Sequence, residues 1–563
     1  KLLVQSNNLD RFKTILAITF TNKAVGEMKA RIIDMLKLFS SDISLTEPHP
    51  MFEAICNELS ISPEKLHSKS KLILKHIVHN YGGFDVSTID GFTHRIIRTF
   101  AYDLNLPINF EVELDQDQLL NEAVDRLISR AGSDENLTNL LVDFAIEKAD
   151  DDKSWDISYD FNKIAKLLVN ENDITALNTL KNKSLEDFKA LKKQLVSQIK
   201  TIENLIVETA EATLNLINEC GLQYDDFNRK SLPNHFEKLQ RKDYNVSFDS
   251  NWQTDLIEGN TLYPKRVTEF IASTIESIQP NLSDAFTKTK ALIYEVKFKK
   301  AVYRNITPLS VLNAIQKELD SLKEEQNKML ISEFNKIISN EIKNQPTPFI
   351  YERLGEKFKH YFIDEFQDTS TLQWQNLVPL LDNALSSANG TTMLVGDAKQ
   401  AIYRWRGGEA EQFIDLYNKT VNPFHVEPNV LALETNYRSS KEIIDFNNSF
   451  FKFLSERYFS LADYADLYQN SSQNKHSDYE GYVNLQFLDI QKEDDATELY
   501  ASQTLETIQQ CLDNDYALSD ICVLVRKKKE GVKIANYLTE KGMNITSSET
   551  LLLKNSDKVD FLS

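Results

Sequence analysis

Asp364 and Glu365 are adjacent carboxylates at the end of an apolar run, Tyr361–Phe362–Ile363, within the stretch YFIDEFQDTS. The run reads as the end of a buried strand, and the acids stand where that strand should run out. A buried strand that delivers paired acids to its C-terminal edge is how an α/β sheet places oxygen ligands for a metal ion and a water. The ordinary alternative is a solvated Asp-Glu pair, and the pair alone does not separate the two. Two other places offer charge to an anion. Thr21 and Asn22, helix N-cap types, follow the run TILAITF. A helix starting there would point backbone N–H groups at a phosphate. Arg95 and Arg98 lie on or near one face of an expected helix, as two surface arginines or as phosphate contacts.

The elements that must position these residues follow from pattern. Thr14–Phe20 is a short β-rich run, followed by a helix with Ala24, Met28, Ile32 and Met35 on one face. Asp85–Ile89 is expected as a strand, Asp90–Gly91 as a turn, and Thr93–Phe100 as the start of a helix. Thr391–Asp397, Leu431 onward, Gly481–Ile490 and Asp520–Arg526 read as further strands. Helices are expected at about Thr371–Leu381, Thr497–Cys511 and Gly531–Lys541. Short strands alternating with helices give a doubly wound α/β architecture.

Residues 116–325 differ. Gly and Pro are sparse there and helical periodicity dominates. Ser184-x-x-Asp187 resembles a capping box. It opens a long helix with Leu185, Phe188, Leu195, Ile199, Ile202 and Ile206 on one stripe, either a coiled arm or a helix packed in a helical domain. Lys297, Lys299, Lys300 and Arg304, with Phe298 and Tyr303, make a small basic–aromatic cluster that reads as a solvated face or a DNA contact. Pro346 and Pro348 break the helical pattern that continues to about Asn344.

The chain has 563 residues, too many for one core, and three or four domains are expected. Its 41% hydrophobic and 26% charged residues fit a globular protein. No apolar run approaches a membrane span, and the start lacks a signal-peptide pattern. The four cysteines have no metal-ligand spacing, so reduced thiols in a cytoplasmic protein are the expectation. A net charge of −20 argues against coating nucleic acid by bulk electrostatics, while leaving room for a locally basic, aromatic channel. KLLVQSNN reads as the tail of a helix already under way and SDKVDFLS has no stop signal, so the chain is expected to be a fragment cut at both ends.

TFTNKAVGEMKARI, YFIDEFQDTS, VGDAKQAIYRWRGG and LETNYRSS stand in this order at strand ends. Together they resemble motifs Ia, II, III and IV of the UvrD/RecB branch of superfamily 1 DNA helicases. FDVSTIDGFTHRI resembles the motif between them. The resemblance implies RecA-like doubly wound parallel sheets of the P-loop NTPase type with a large helical insertion. The expected boundaries are 1–115 and 326–428 for the first RecA-like domain, 116–325 for the insertion, and 429–563 for an incomplete second RecA-like domain.

The resemblance also implies roles. ATP and Mg²⁺ would be cofactors, with Asp364 as metal ligand and Glu365 orienting the attacking water. Gln400 would sense the γ-phosphate, Arg438 would neutralise charge on the transferring phosphoryl, and Tyr437 would stack on the adenine. Trp405, between Arg404 and Arg406, would stack on a base of single-stranded DNA; its alternative is a core indole between solvated arginines. Phe20 and Tyr403 are further base contacts, and Thr21, Asn22 and Thr88 further contacts to the strand. The implied activity is a 3′→5′ DNA helicase and translocase acting at single/double-strand junctions in repair or recombination. The large insertion favours the RecB/AddA type, which often carries a C-terminal exonuclease domain and works with a partner subunit.

The sequence departs from the pattern in three places. No Gly-x-Gly-Lys-Ser/Thr phosphate loop occurs, so these residues alone are expected to hydrolyse ATP poorly. Motifs V and VI do not occur. Asp90 stands where the family often has His, which puts that DNA contact in doubt and leaves it to Thr88 or the backbone. Two other classes stay open. A non-hydrolysing DNA-binding scaffold of a helicase–nuclease complex fits less well, because the acids, Gln400 and Arg438 are all present. An NTPase unrelated to DNA leaves Phe20 and Trp405 unexplained. Asp368 has no assigned role beyond pinning its turn.

Overall fold

The computed structural model describes residues 1–547 except 105, 107–109, 114, 151–155, 345–353, 355, 388, 461, 477–478 and 492–495. It divides into two units, Lys1–Leu431 and Ala432–Ser563. The helix break at Pro346 and Pro348 lies outside the described residues.

In the first unit the chain forms β1 (Ile15–Thr19) and β2 (Asp85–Thr88) before the helical region, with β3 (Glu111–Glu113) at its entrance and β4 (Lys328–Leu330) at its exit. Then come β5 (His360–Ile363) and β6 (Thr391–Leu394). The main sheet has the order β2-β1-β5-β6, all neighbours parallel. A parallel sheet needs both faces covered, and the period of two shows how this is met. Leu16, Ile18, Tyr361 and Ile363 pack with the helices Ile89–Thr99 and Thr371–Ser386. Ala17, Val86 and Phe362 pack on the other side, with the helices Asn22–Phe39, Pro50–Leu59 and Pro63–His79.

Two local expectations change. Asp90 and Gly91 are not a separate turn but part of the first turn of the helix Ile89–Thr99. The Thr88 hydroxyl accepts from the Gly91 N–H at 3.0 Å, so the helix starts the moment the strand ends. The helix after the acid pair runs on to Ser386, opened by a capping box of Ser370 and Gln373.

β3 and β4 form a two-stranded parallel neck, tied by a Lys328–Glu113 ion pair at 2.7 Å. Beyond the neck the described residues of the helical region form two larger cores and a small third one of Phe188, Leu195 and Ile306. Of the larger two, the nearer packs Gln116–Ser129, Glu135–Asp150, Ser158–Ala165 and Leu312–Gln326. The farther one packs Leu185–Glu219 with Ser231–Gln240 and Glu269–Ser310. The Ser184–Asp187 capping box is present. The long helix is packed antiparallel on a neighbour rather than free, as Lys192–Thr307, Lys299–Gln198 and Lys300–Glu203 contacts show. Those contacts engage two lysines of the basic–aromatic cluster within the domain.

The second unit departs most from expectation. Gly481–Ile490 and Asp520–Arg526 form no strand, and of the stretch from Leu431 onward only Thr435–Asn436 (β7) pairs, with Asn474–Lys475 (β8); the described residues of this unit hold no other sheet. A strand is held by ladder bonds to a neighbour, and no described segment makes a ladder with Gly481–Ile490 or Asp520–Arg526. Tyr482, Phe487 and Leu524 are accordingly exposed. Its core is a helix pair, Ala496–Asp513 on Lys528–Glu540, joined through Ile508, Ile534 and Leu538.

Candidate nucleotide and nucleic-acid site

The acid pair stands at the C-terminal edge of β5, one of the two central strands. The Asp364 N–H continues the ladder to the Ile18 carbonyl at 2.9 Å, so its carboxylate leaves the sheet where β1 also ends. Glu365 then turns sharply, with φ 53° and ψ 42°. A left-handed conformation in a residue with a side chain costs about 1–2 kcal/mol. It is held by the Phe366 N–H bonding to the Val395 carbonyl at 3.0 Å and by the short helical turn Phe366–Asp368.

A hydrogen-bond relay leaves Glu365. Buried Gln367 donates to the Glu365 carboxylate at 2.6 Å, and its own carbonyl oxygen accepts from the Asp397 N–H at 3.0 Å. Asp397 in turn accepts from the Gln400 amide at 3.0 Å and the Lys399 ammonium at 2.6 Å. Burial pushes the Asp397 carboxyl up, but the bonds from Lys399 and Gln400 outweigh it and leave it below its ordinary range. The relay explains Gly396: a Cβ there would lie 2.6 Å from the Gln367 oxygen. Gln367, Asp397 and Lys399 were not singled out from sequence. Their only signal was position, as polar residues at the ends of two apolar runs.

Asp368 acquires a role. It is buried, and the peptide N–H groups of Ile402 and Tyr403 face its carboxyl and oppose the rise that burial causes. The loop after Gln400 is held to the acid-bearing turn by backbone, through the Glu409 N–H on the Thr369 carbonyl and the bridge between Ser370 and Gly408. That loop carries the aromatics. Phe20, at the tip of β1, meets Tyr403 with ring centroids 4.4 Å apart, and Tyr403 meets Trp405 at 6.3 Å. Trp405 is 70% exposed, so it is not a core indole. The Arg406 guanidinium lies 4.9 Å from its ring. Arg404 is paired with Glu411 at 2.6 Å and faces Glu409 at 3.6 Å. Glu409 shares a hydrogen bond with Glu411, and this, with burial, pushes it up to about 7.

The remaining candidates sit as follows. The Thr21 hydroxyl caps the helix Asn22–Phe39 by accepting from Ala24 at 3.2 Å, and Thr21 and Asn22 are both exposed. Thr88 caps its own helix. Arg95 is not free for a strand: it binds the buried Asp85 at 2.6 Å. Asp90 lies in a recess that solvent reaches; surrounding protein raises its pKa, opposed by the Gln373 amide at 2.9 Å and the charge of Arg406. Tyr437 and Arg438 belong to the second unit. The Tyr437 ring is 4.4 Å from that of His476, and the Arg438 N–H bonds the Asn436 side chain at 2.8 Å.

A parallel sheet with paired acids at its edge and a polar relay to the next loop is the architecture of the P-loop NTPase fold. The chain belongs to the UvrD/REP helicase family: residues 2–421 match its N-terminal domain, and 431–556 match the UvrD-like helicase C-terminal domain. It is similar to a Listeria welshimeri protein named as one subunit of an ATP-dependent helicase/nuclease, 24% identical over 83% of this chain and 37% of the relative. The proteins of the same name from Streptococcus mutans (24% identical; 80% and 36% covered) and Lactococcus lactis subsp. cremoris (23% identical; 97% and 45% covered) are similar too. The chain thus spans less than half the length of these relatives. No described helix is long and apolar enough to cross a membrane.

Proposed function

We propose that the chain is the motor portion of an ATP-dependent DNA helicase that moves 3′→5′ on single-stranded DNA, within a helicase–nuclease that has a partner subunit. The observation that carries the reading is continuity. One loop runs from Gln400, at the end of the relay from Glu365, to the aromatic row of Tyr403 and Trp405, and is tied back to the acid-bearing stretch where Ser370 bridges Gly408. The polarity and the partner come from family and relatives rather than from any residue here.

The oxygen donors fit a hard cation. Magnesium keeps several waters and takes one or two carboxylates plus phosphates, and the Asp364 carboxylate at the sheet edge supplies the protein's share. When bound with ATP, the ion offsets charge on the β- and γ-phosphates. Glu365, fixed by Gln367, orients the attacking water. Gln400 exchanges its bond to Asp397 for a γ-phosphate oxygen, and the exchange is passed along the loop to Trp405. Arg438 and Tyr437 are proposed contacts to phosphate and adenine, and Phe20, Thr21, Asn22, Thr88, Arg404 and Arg406 contacts to the strand. Base stacking is worth ~1–3 kcal/mol and ignores sequence, as a translocase requires.

The test is titration with a deoxythymidine oligonucleotide, read by tryptophan fluorescence and by anisotropy of a labelled strand. Trp405→Ala is expected to remove most of the quenching and weaken binding about 5- to 150-fold. Unchanged quenching and affinity would sink the stacking assignment.

A further inference from the structure

Among the described residues, Glu171 carries the helical region onto the end of the acid-bearing stretch. Glu171, in the short helical turn Glu171–Asp173, accepts from the Ser370 hydroxyl at 2.5 Å and from the Asn335 amide at 2.7 Å. Both partners are buried. Ser370 ends the stretch that began at Asp364 and caps the helix Thr371–Ser386; its hydroxyl also accepts from the Gln373 N–H at 3.1 Å. Asn335 is tied to the same helix through the Asn376 amide, which donates to its carbonyl at 2.9 Å.

The turn carrying Trp405 closes on the same spot. Ser370 forms a β-bridge with Gly408, and the Glu409 N–H bonds the Thr369 carbonyl at 3.1 Å. Gly407 has φ +92°, and a Cβ there would meet Ser370 at 3.5 Å and the Asn172 side chain at 3.7 Å. The insertion, the end of the acid stretch and the end of the aromatic turn therefore touch at Ser370.

We propose that Glu171 is a positioning residue that latches the helical insertion onto Ser370 and so holds the Tyr403–Gly408 turn in the pose that presents Trp405. The inference rests on the reading of Trp405 as a base platform. Ser370 Oγ carries one proton and two lone pairs, and the Glu171 carboxylate accepts the hydrogen bond from that proton. That leaves the lone pairs of the oxygen free, one of them for the helix cap, and the cap sets the residue against which Gly408 bridges. Without the carboxylate, Asn335 and Ser370 lose their acceptor in a site that solvent reaches poorly. A glutamine keeps one acceptor and can donate to Ser370, so it should preserve the latch.

The experiment compares Glu171→Ala, Glu171→Gln and Trp405→Ala by amide hydrogen exchange and by the same oligonucleotide titration. Glu171→Ala is expected to speed exchange of the Arg406–Glu409 amides about tenfold, leave β1 and the far helical core unchanged, and weaken binding about 3- to 10-fold. Glu171→Gln is expected to restore both to within about twofold. If Glu171→Ala does not fold, Glu171→Asp, which withdraws the carboxylate by about 1.5 Å, is expected to shift both in the same direction. Wild-type exchange and binding in Glu171→Ala, beside a weakened Trp405→Ala, overturns the latch and spares the Trp405 reading. If Trp405→Ala binds normally, that reading falls, and exchange at Arg406–Glu409 alone then supports or overturns the latch.

Discussion

At the scale of single residues, Arg404 shows how a cation beside the Trp405 loop is held by carboxylates. Its guanidinium sits between Glu409 and Glu411. Glu409 is pushed up to about 7 by its shared bond with Glu411, so it holds a proton in the folded chain at pH values where it would lose it unfolded. A raised carboxyl stabilises below the unfolded value, and the contribution fades as pH climbs through the folded one. The melting temperature is therefore expected to fall between pH 5 and about 7.5, and Glu409→Gln to flatten that slope when followed by circular dichroism. The same deprotonation tightens the hold on Arg404, so oligonucleotide affinity should fall over the same window in the wild type and not in the variant. A pH-independent melting curve in the wild type would remove this account.

At the scale of elements, β2 and the helix that follows it are joined by a buried charge. Asp85 is 4% exposed and holds Arg95 at 2.6 Å and Lys357 at 2.8 Å, stitching the edge strand to the segment before β5. Asp85→Asn is expected to cost roughly 1–3 kcal/mol in urea unfolding, because Arg95 and Lys357 can turn to water while the buried amide keeps unsatisfied groups. No loss of stability would show the pair to be idle. β1 and β5 were legible because buried parallel strands read as short apolar runs, and β2 and β6 were expected too. The neck strands β3 and β4, three residues each and partly polar, were not, and the helical pattern was carried across β4. Nor was the relay legible. Gln367 meets Asp397 across 30 residues and Glu171 meets Ser370 across 199, and polar residues that pair at such separations look like any others in the sequence. The strands expected in the second unit failed for a related reason: apolarity shows that a segment wants a neighbour, not that one is there.

At the scale of the whole molecule, the charge balance bears on how DNA is held. A chain of net charge −20 cannot draw a polyanion by its overall field. The proposed binding through Trp405 and roughly two arginines would give a logarithmic salt slope of about −1.4 for a single strand. An anisotropy titration from low to moderate salt measures it, and a slope several times steeper would point to a more extensive basic surface. The sheet order carries a different consequence, one of time. β1 pairs with β5, Ile15 beside His360, across some 345 residues. At ~5–20 residues per second of synthesis, Ile15 waits about 17–70 s for its partner to leave the ribosome. The cores of the helical region emerge whole in that interval. The insertion is thus the first part able to finish folding. The strand that leads to the aromatic row comes early off the ribosome yet is among the last to be closed in, with one apolar edge in need of shelter until then.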